Sequence, residues 1–303
     1  MSIPVRRSPV LPKFPPFLLG LAALAGGLEA QVQVTLEVTK PQYVAHESVL
    51  ATVTLTNRAG RELLIHSGGT ARNPITWLDF AIRDSRGVRL SPARTINFDP
   101  VRLPAGQSVA RTVDLTTIYR VAELGTYWCY AVVRLPAAGG GTFRSNKVNF
   151  NVTQARVVYR QRIGVPNTRN VREFSVLVFN ASRKTSLYVR VTDPRSGRTL
   201  TTYPLGEALT FHKPQATVDG RNNLHVLYLT SPQTFSHAWV DPNGSLGGRN
   251  HFRRGPTGTP RLETRSDGSV LVVGGVPYDP ARRERAHARV RRLSERPDII
   301  YRR

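Results

Sequence analysis

Apolar side chains return at every second position along most of this chain, and that period constrains its fold more than any other feature. Val32, Val34, Leu36 and Val38 alternate with polar residues, and Val49, Ala51, Val53 and Leu55 alternate with Thr52, Thr54 and Thr56. A strand turns successive side chains to opposite faces, so a period of two gives one apolar face to a core and the other to solvent. The pattern recurs in Leu78, Phe80 and Ile82, in Tyr127, Cys129, Ala131 and Val133, and in Val148, Phe150 and Val152. Turn signals stand between these runs at Lys40-Pro41, Asp84-Ser85-Arg86-Gly87 and Leu103-Pro104-Ala105-Gly106. The expectation is an all-β chain of antiparallel strands.

The stretch Gly125-Thr126-Tyr127-Trp128-Cys129-Tyr130 follows an expected strand over 108–115 and a corner over 116–124. Another expected strand, 147–152, comes after it, with Gly139-Gly140-Gly141 suited to the hairpin between them. A Tyr two residues before a Cys, with its hydroxyl tying the strand end to the preceding corner, resembles strand F of the immunoglobulin-like superfamily. The resemblance covers about residues 32–153 and is to the exported bacterial type without a disulfide. The chain has one cysteine, so no bridge forms, and Ala51 or Val53 stands at the matching strand B position. The resemblance implies a β-sandwich and says little about activity, because this architecture hosts unrelated functions. The alternation itself makes Cys129 a buried small residue and not a nucleophile.

Parity assigns the other face. With Tyr127 and Cys129 inward, Trp128 and Tyr130 point out; with Val148, Phe150 and Val152 inward, Lys147, Asn149 and Asn151 point out. The Leu78-Phe80-Ile82 phase, taken as core, puts Trp77 and Asp79 outward as well. Immunoglobulin-like sandwiches set strands C, F and G side by side. One sheet face is then expected to collect Trp77, Asp79, Trp128, Tyr130, Lys147, Asn149 and Asn151. Aromatic rings with polar tips, framed by amides, suit a sugar ring or a protein partner. The face suits packing on the rest of the chain or on a partner subunit equally well. Trp77 also has a rival place, since immunoglobulin-like domains bury a strand C tryptophan.

Residues 154–280 are expected to form a second β-rich domain after the sandwich of 31–153, with a weak strand-turn-strand repeat. Phe174 to Phe179, Leu187 to Val191 and the Asp193-Pro194 turn are echoed by Leu224 to Tyr228, Phe235 to Val240 and the Asp241-Pro242 turn. A third, partial copy starts at Ser269. Repeats of this length belong to β-propeller blades, yet a closed propeller takes about four to eight of them. Room for two and a half units favours a small sandwich.

Residues 1–30 have the layout of a secretory signal: Arg6, Arg7 and Lys13, then an apolar run, then small residues. The expectation is an exported protein, periplasmic, cell-surface or extracellular, with no membrane span once the signal is removed. The net charge of +23 invites polyanions, but only 5 of the 43 basic residues are Lys, an Arg bias that a GC-rich genome produces without selection for binding. Arg is massed only in the tail, 281–303, which reads either as a solvated arm or as a contact for anionic polymers.

The sequence holds no nucleophile elbow, phosphate loop or paired-cysteine metal motif, so neither an enzyme nor a cofactor is expected. The one metal possibility is His225 with His237 on neighbouring strands, needing a third ligand such as His212 or His251. The leading expectation is a non-catalytic binding or structural protein of the cell envelope or extracellular space, with a protein or polysaccharide partner. The alternatives are an extracellular protease inhibitor using the turn from Ile65 to Pro74, or a hydrolase or metal-dependent enzyme in the second domain.

Overall fold

The computed structural model describes residues 32–70, 73–135, 141–165, 168–181 and 184–280. The expected signal, most of the Gly139–Gly141 loop and the Arg-rich tail therefore lie outside the described residues. The regular structure is strand, with one short 3-10 turn at Leu115–Thr117. No helix among the described residues is long and apolar enough to cross a membrane.

The first half runs β1 (Val32–Val38), β2 (Gln42–Val44), β3 (Leu50–Asn57), β4 (Leu63–Ile65), β5 (Gly68–Thr70) and β6 (Asn73–Ile75). It continues with β7 (Leu78–Arg83), β8 (Val101–Leu103), β9 (Ser108–Asp114), β10 (Gly125–Leu135), β11 (Gly141–Arg144) and β12 (Val148–Thr153). Strands β1, β3 and β9 form one antiparallel sheet. In the other sheet β10 pairs with β7 on one edge and with β11 and β12 on the opposite edge, and β2 adds to β12 in parallel. The alternation expected from sequence is the burial pattern found: the inward phases of β1, β3, β10 and β12 meet in one apolar core with Trp77, Leu78, Phe80 and Ile82. The Tyr127 hydroxyl donates to the Glu123 carbonyl at 2.9 Å, closing the corner that leads into β10.

The second half is a stack of layers. β13 (Arg156–Gly164), β14 (Val171–Ala181), β15 (Lys184–Asp193) and β16 (Arg198–Glu207) make one antiparallel meander. β17 (Gln215–Val218), β18 (Leu224–Ser231), β19 (Thr234–Val240) and β20 (Leu246–Arg253) make the next. After them β21 (Arg261–Thr264) and β22 (Val270–Val273) pair as a hairpin, and β23 (Val276–Pro277) returns to β20. The faint repeat in the sequence is thus a four-stranded sheet, a five-stranded sheet completed by β23, and a two-stranded remnant.

The sheets share a core in which Phe174, Val176, Leu187 and Val189 face Leu224, Val226, Tyr228 and Ala238. The far face of each is also covered. Leu177, Phe179 and Tyr188 pack on Val44 and Ala155, and Leu227, Leu229 and Phe235 pack under Leu262 and Val272. Burial on both faces explains why β14 and β18 carry unbroken apolar runs instead of alternating ones.

The two halves meet at the loop after β2. Arg190 Nη2 donates to the Ala45 carbonyl at 2.8 Å, and Lys40 Nζ bonds both the Tyr188 hydroxyl, at 3.1 Å, and the buried Glu47 carboxylate. Glu47 also accepts from the Val44 amide at 3.0 Å. Glu47 is buried whereas Lys40 is partly exposed, so removing Lys40 leaves a desolvated carboxylate without its partner, and Lys40→Met is expected to cost about 1–3 kcal/mol. A urea titration checks this. A Lys40→Met, Glu47→Leu double variant should recover most of the loss, and failure to do so would mean that packing, not the uncompensated charge, sets the cost.

Candidate functional site

The outward face of the β7–β10–β12 sheet is built by register. Trp128 of β10 stands between Asn149 of β12 and Arg83 of β7, Tyr130 stands beside Ala81, and Val132 lies between Arg144 of β11 and Asp79. Trp128 and Tyr130 are half-buried, whereas Arg83, Arg144, Lys147 and Asn149 are exposed. Lys147 places its ammonium 3.9 Å from the centre of the Trp128 ring, and the Arg144 guanidinium lies 5.7 Å from that of Tyr130. Asn151 is tied to Thr126 by a 2.6 Å side-chain hydrogen bond. Between β11 and β12 the Asn146 amide both donates to and accepts from the Leu36 backbone in the opposing sheet, which anchors the break just before Lys147.

Trp77 is a correction to the expected face. It is 0% exposed and belongs to the core, with Nε1 donating to the carbonyls of Phe98, at 3.1 Å, and Asp99, at 3.2 Å. The parity argument fails there because Trp77 sits at a bend before β7 begins, so it does not follow the strand's alternation. Asp79 is on the outward phase but is engaged: it accepts from the Tyr119 hydroxyl at 3.0 Å and pairs with Arg134 at 3.4 Å. The residues that sequence reasoning missed are Arg83, Arg134 and Arg144. Arg83 and Arg134 share the outward phase of Asp79 and Trp128, and that phase alone would have found them. Arg144 required knowing that β11 pairs with the far end of β10.

The structure brings His225 and His237 together as neighbours in a hydrogen-bonded chain. His225 Nδ1 lies 2.9 Å from His237 Nε2, and His225 Nε2 lies 3.1 Å from the Asp219 carboxylate. The rings stack at 5.1 Å, with Trp239 against both. Trp239 in turn covers Gly247 and Gly248, where any Cβ would collide with the indole. Burial first, and then the neighbouring His225, lowers His237 to about 4. Burial opposes ionisation of Asp219, but hydrogen bonds from Asn223, His225 and the Arg221 amide hold its carboxyl below the usual range. The expected third ligands are elsewhere: His212 stands edge-on to Phe235, and His251 bonds Ser236. Among the described residues no three His, Cys, Asp or Glu side chains converge on a metal position. Asp219, Arg221, His225, Trp239, Asp267 and Ser269 line an open cavity of about 500 Å³ beside this chain.

Comparison with protein-family models and with curated proteins gives no match. A solved structure it resembles is the crystal structure of Spo0M, a sporulation control protein from Bacillus subtilis. The two share 11% identity over 88% of this chain and 97% of that one, with a TM-score of 0.25. A score that low transfers neither topology nor role.

Cys129 and Ser236, the two residues with nucleophilic chemistry nearest the features above, are enclosed. Cys129 is 0% exposed, and burial pushes its thiol up to about 12, where it stays protonated at neutral pH. Ser236 lies 2.8 Å from His251 Nδ1 but is itself buried, so this contact joins β19 to β20 and presents no hydroxyl to solvent.

Proposed function

We propose that this chain is an exported, non-catalytic binding protein of the cell envelope or extracellular space, with the outward face of β7, β10 and β12 as its working surface. The signal-like layout of residues 1–30 supports export. An immunoglobulin-like frame for the first half is supported by the Tyr127 corner and by the opposition of β1-β3-β9 to β7-β10-β12. One observation carries the reading: Trp128 and Tyr130 lie amid exposed Arg83, Arg144 and Lys147, on a face that the second half leaves open because it docks through Lys40, Val44 and Ala45. Half-buried aromatics ringed by donors, outside any internal interface, are what a binding surface needs.

The test is retention on a panel of immobilised envelope polysaccharides and proteins at high salt, for the protein and for a Trp128→Ala, Tyr130→Ala variant. The expected result is at least a tenfold loss of affinity for one ligand with unchanged thermal unfolding. Equal retention of both proteins on every ligand would remove this face from the function.

A further inference from the structure

Resting on that reading of the sheet face, we infer that its ligand is an anionic glycan, a sugar chain carrying carboxylate or phosphate groups along its length. The charges on the face are unbalanced. Among the described residues none of Arg83, Arg144 and Lys147 forms an ion pair, and the Asp79 carboxylate on this face is held by Arg134, Tyr119 and the Phe80 amide. Their mutual repulsion is relieved by a ligand of opposite sign, which a neutral sugar does not supply.

The rings act as seats for cations more than as open platforms. Lys147 over Trp128 and Arg144 over Tyr130 are fixed on aromatic faces, and their remaining N–H groups stay available to an anion. Strands about 4.8 Å apart set Arg83 on β7 roughly 10 Å from the start of β12, so charges repeated along a chain meet both sides of Trp128. Exposed Asn149, opposite Trp128, supplies a donor and an acceptor for sugar hydroxyls. Single-stranded nucleic acid is disfavoured because base stacking needs bare aromatic faces, and here cations occupy them.

The experiment uses the full chain and three probes of matched length: oligogalacturonate, its methyl ester and single-stranded DNA, measured by calorimetry at two salt concentrations. Oligogalacturonate is expected to bind at least tenfold more tightly than the ester and more tightly than DNA, and to weaken at least tenfold in an R83Q/R144Q/K147Q variant that melts like the parent. Equal binding of ester and acid would overturn the anionic assignment, and the working-surface reading would still stand if the Trp128→Ala, Tyr130→Ala variant lost both. DNA binding as tight as that of oligogalacturonate, lost in the triple variant, would replace the glycan with nucleic acid. Absent binding, or binding that both variants retain in full, would overturn the inference, since attraction to the Arg-rich tail survives both sets of substitutions.

Discussion

Trp77→Ala is expected to destabilise the first half by about 3–5 kcal/mol, and Trp128→Ala by less than about 1 kcal/mol. The two residues are alike in type and lie in the same sheet region, so the contrast isolates burial. Trp77 is sealed in the core, edge-on to Phe98 at 5.8 Å, and its loss opens a cavity the size of an indole. It also strands the Phe98 and Asp99 carbonyls, each of which loses its bond to Nε1. Trp128 is half-buried and under a lysine, so truncation returns that surface and the Lys147 ammonium to water. Urea unfolding followed by far-ultraviolet circular dichroism measures both. Similar midpoints for the two variants would mean that the facing of β10 is wrong and that the candidate face is not a surface.

How much could be read in advance follows from which residues were subject to one constraint and which to two. In β1, β3, β10 and β12 one face meets the core and the other meets water, so a period of two fixes both strand and facing. The Tyr127 to Glu123 bond was legible for the same reason: spacing along one strand dictates it. Trp77 was misplaced because a side chain next to a strand is aimed by the local bend, a torsional detail with no signature in hydrophobic period. In β14 and β18 burial on both faces erases alternation, so the layered stack was visible only as a repeat and not as a facing. The cations show a different limit. Arg83 and Arg144 reach one face from strands about sixty residues apart in sequence, on either side of β10, and only the pairing register unites them. The histidine pair was legible as a neighbourhood from the expected hairpin. Its bond to Asp219 was not, because that residue lies in the turn before β18 and nothing in the spacing aims its carboxylate at His225.

Below pH 6.5 the second half is expected to lose stability progressively down to about pH 4, by about 3 kcal/mol through His237 alone. The sign follows from proton counts. His237 has its folded pKa lowered from 6.5 to about 4, so between those values the unfolded chain binds more protons than the folded one, and acid favours unfolding. The stabilisation is complete above 6.5 and is lost as pH falls through the window. The hydrogen-bond chain supplies the reason. With Asp219 accepting Nε2–H of His225, His225 Nδ1 is a bare acceptor for Nε2–H of His237, and each ring passes one N–H toward the carboxylate. A proton on His225 Nδ1 would set N–H against N–H, and a charge on His237 would sit in a pocket closed by Trp239. His46 and His251 are also lowered by burial and add to the same slope, so the decisive comparison is with a His237→Gln variant. That side chain keeps an N–H for His225 and cannot be protonated in this range. Urea midpoints measured from pH 7.5 to 4 should therefore fall less steeply in the variant, by roughly the share assigned to His237. Parallel curves would show that His237 takes up its proton equally in the folded and unfolded chain, so that neither burial nor His225 holds it neutral.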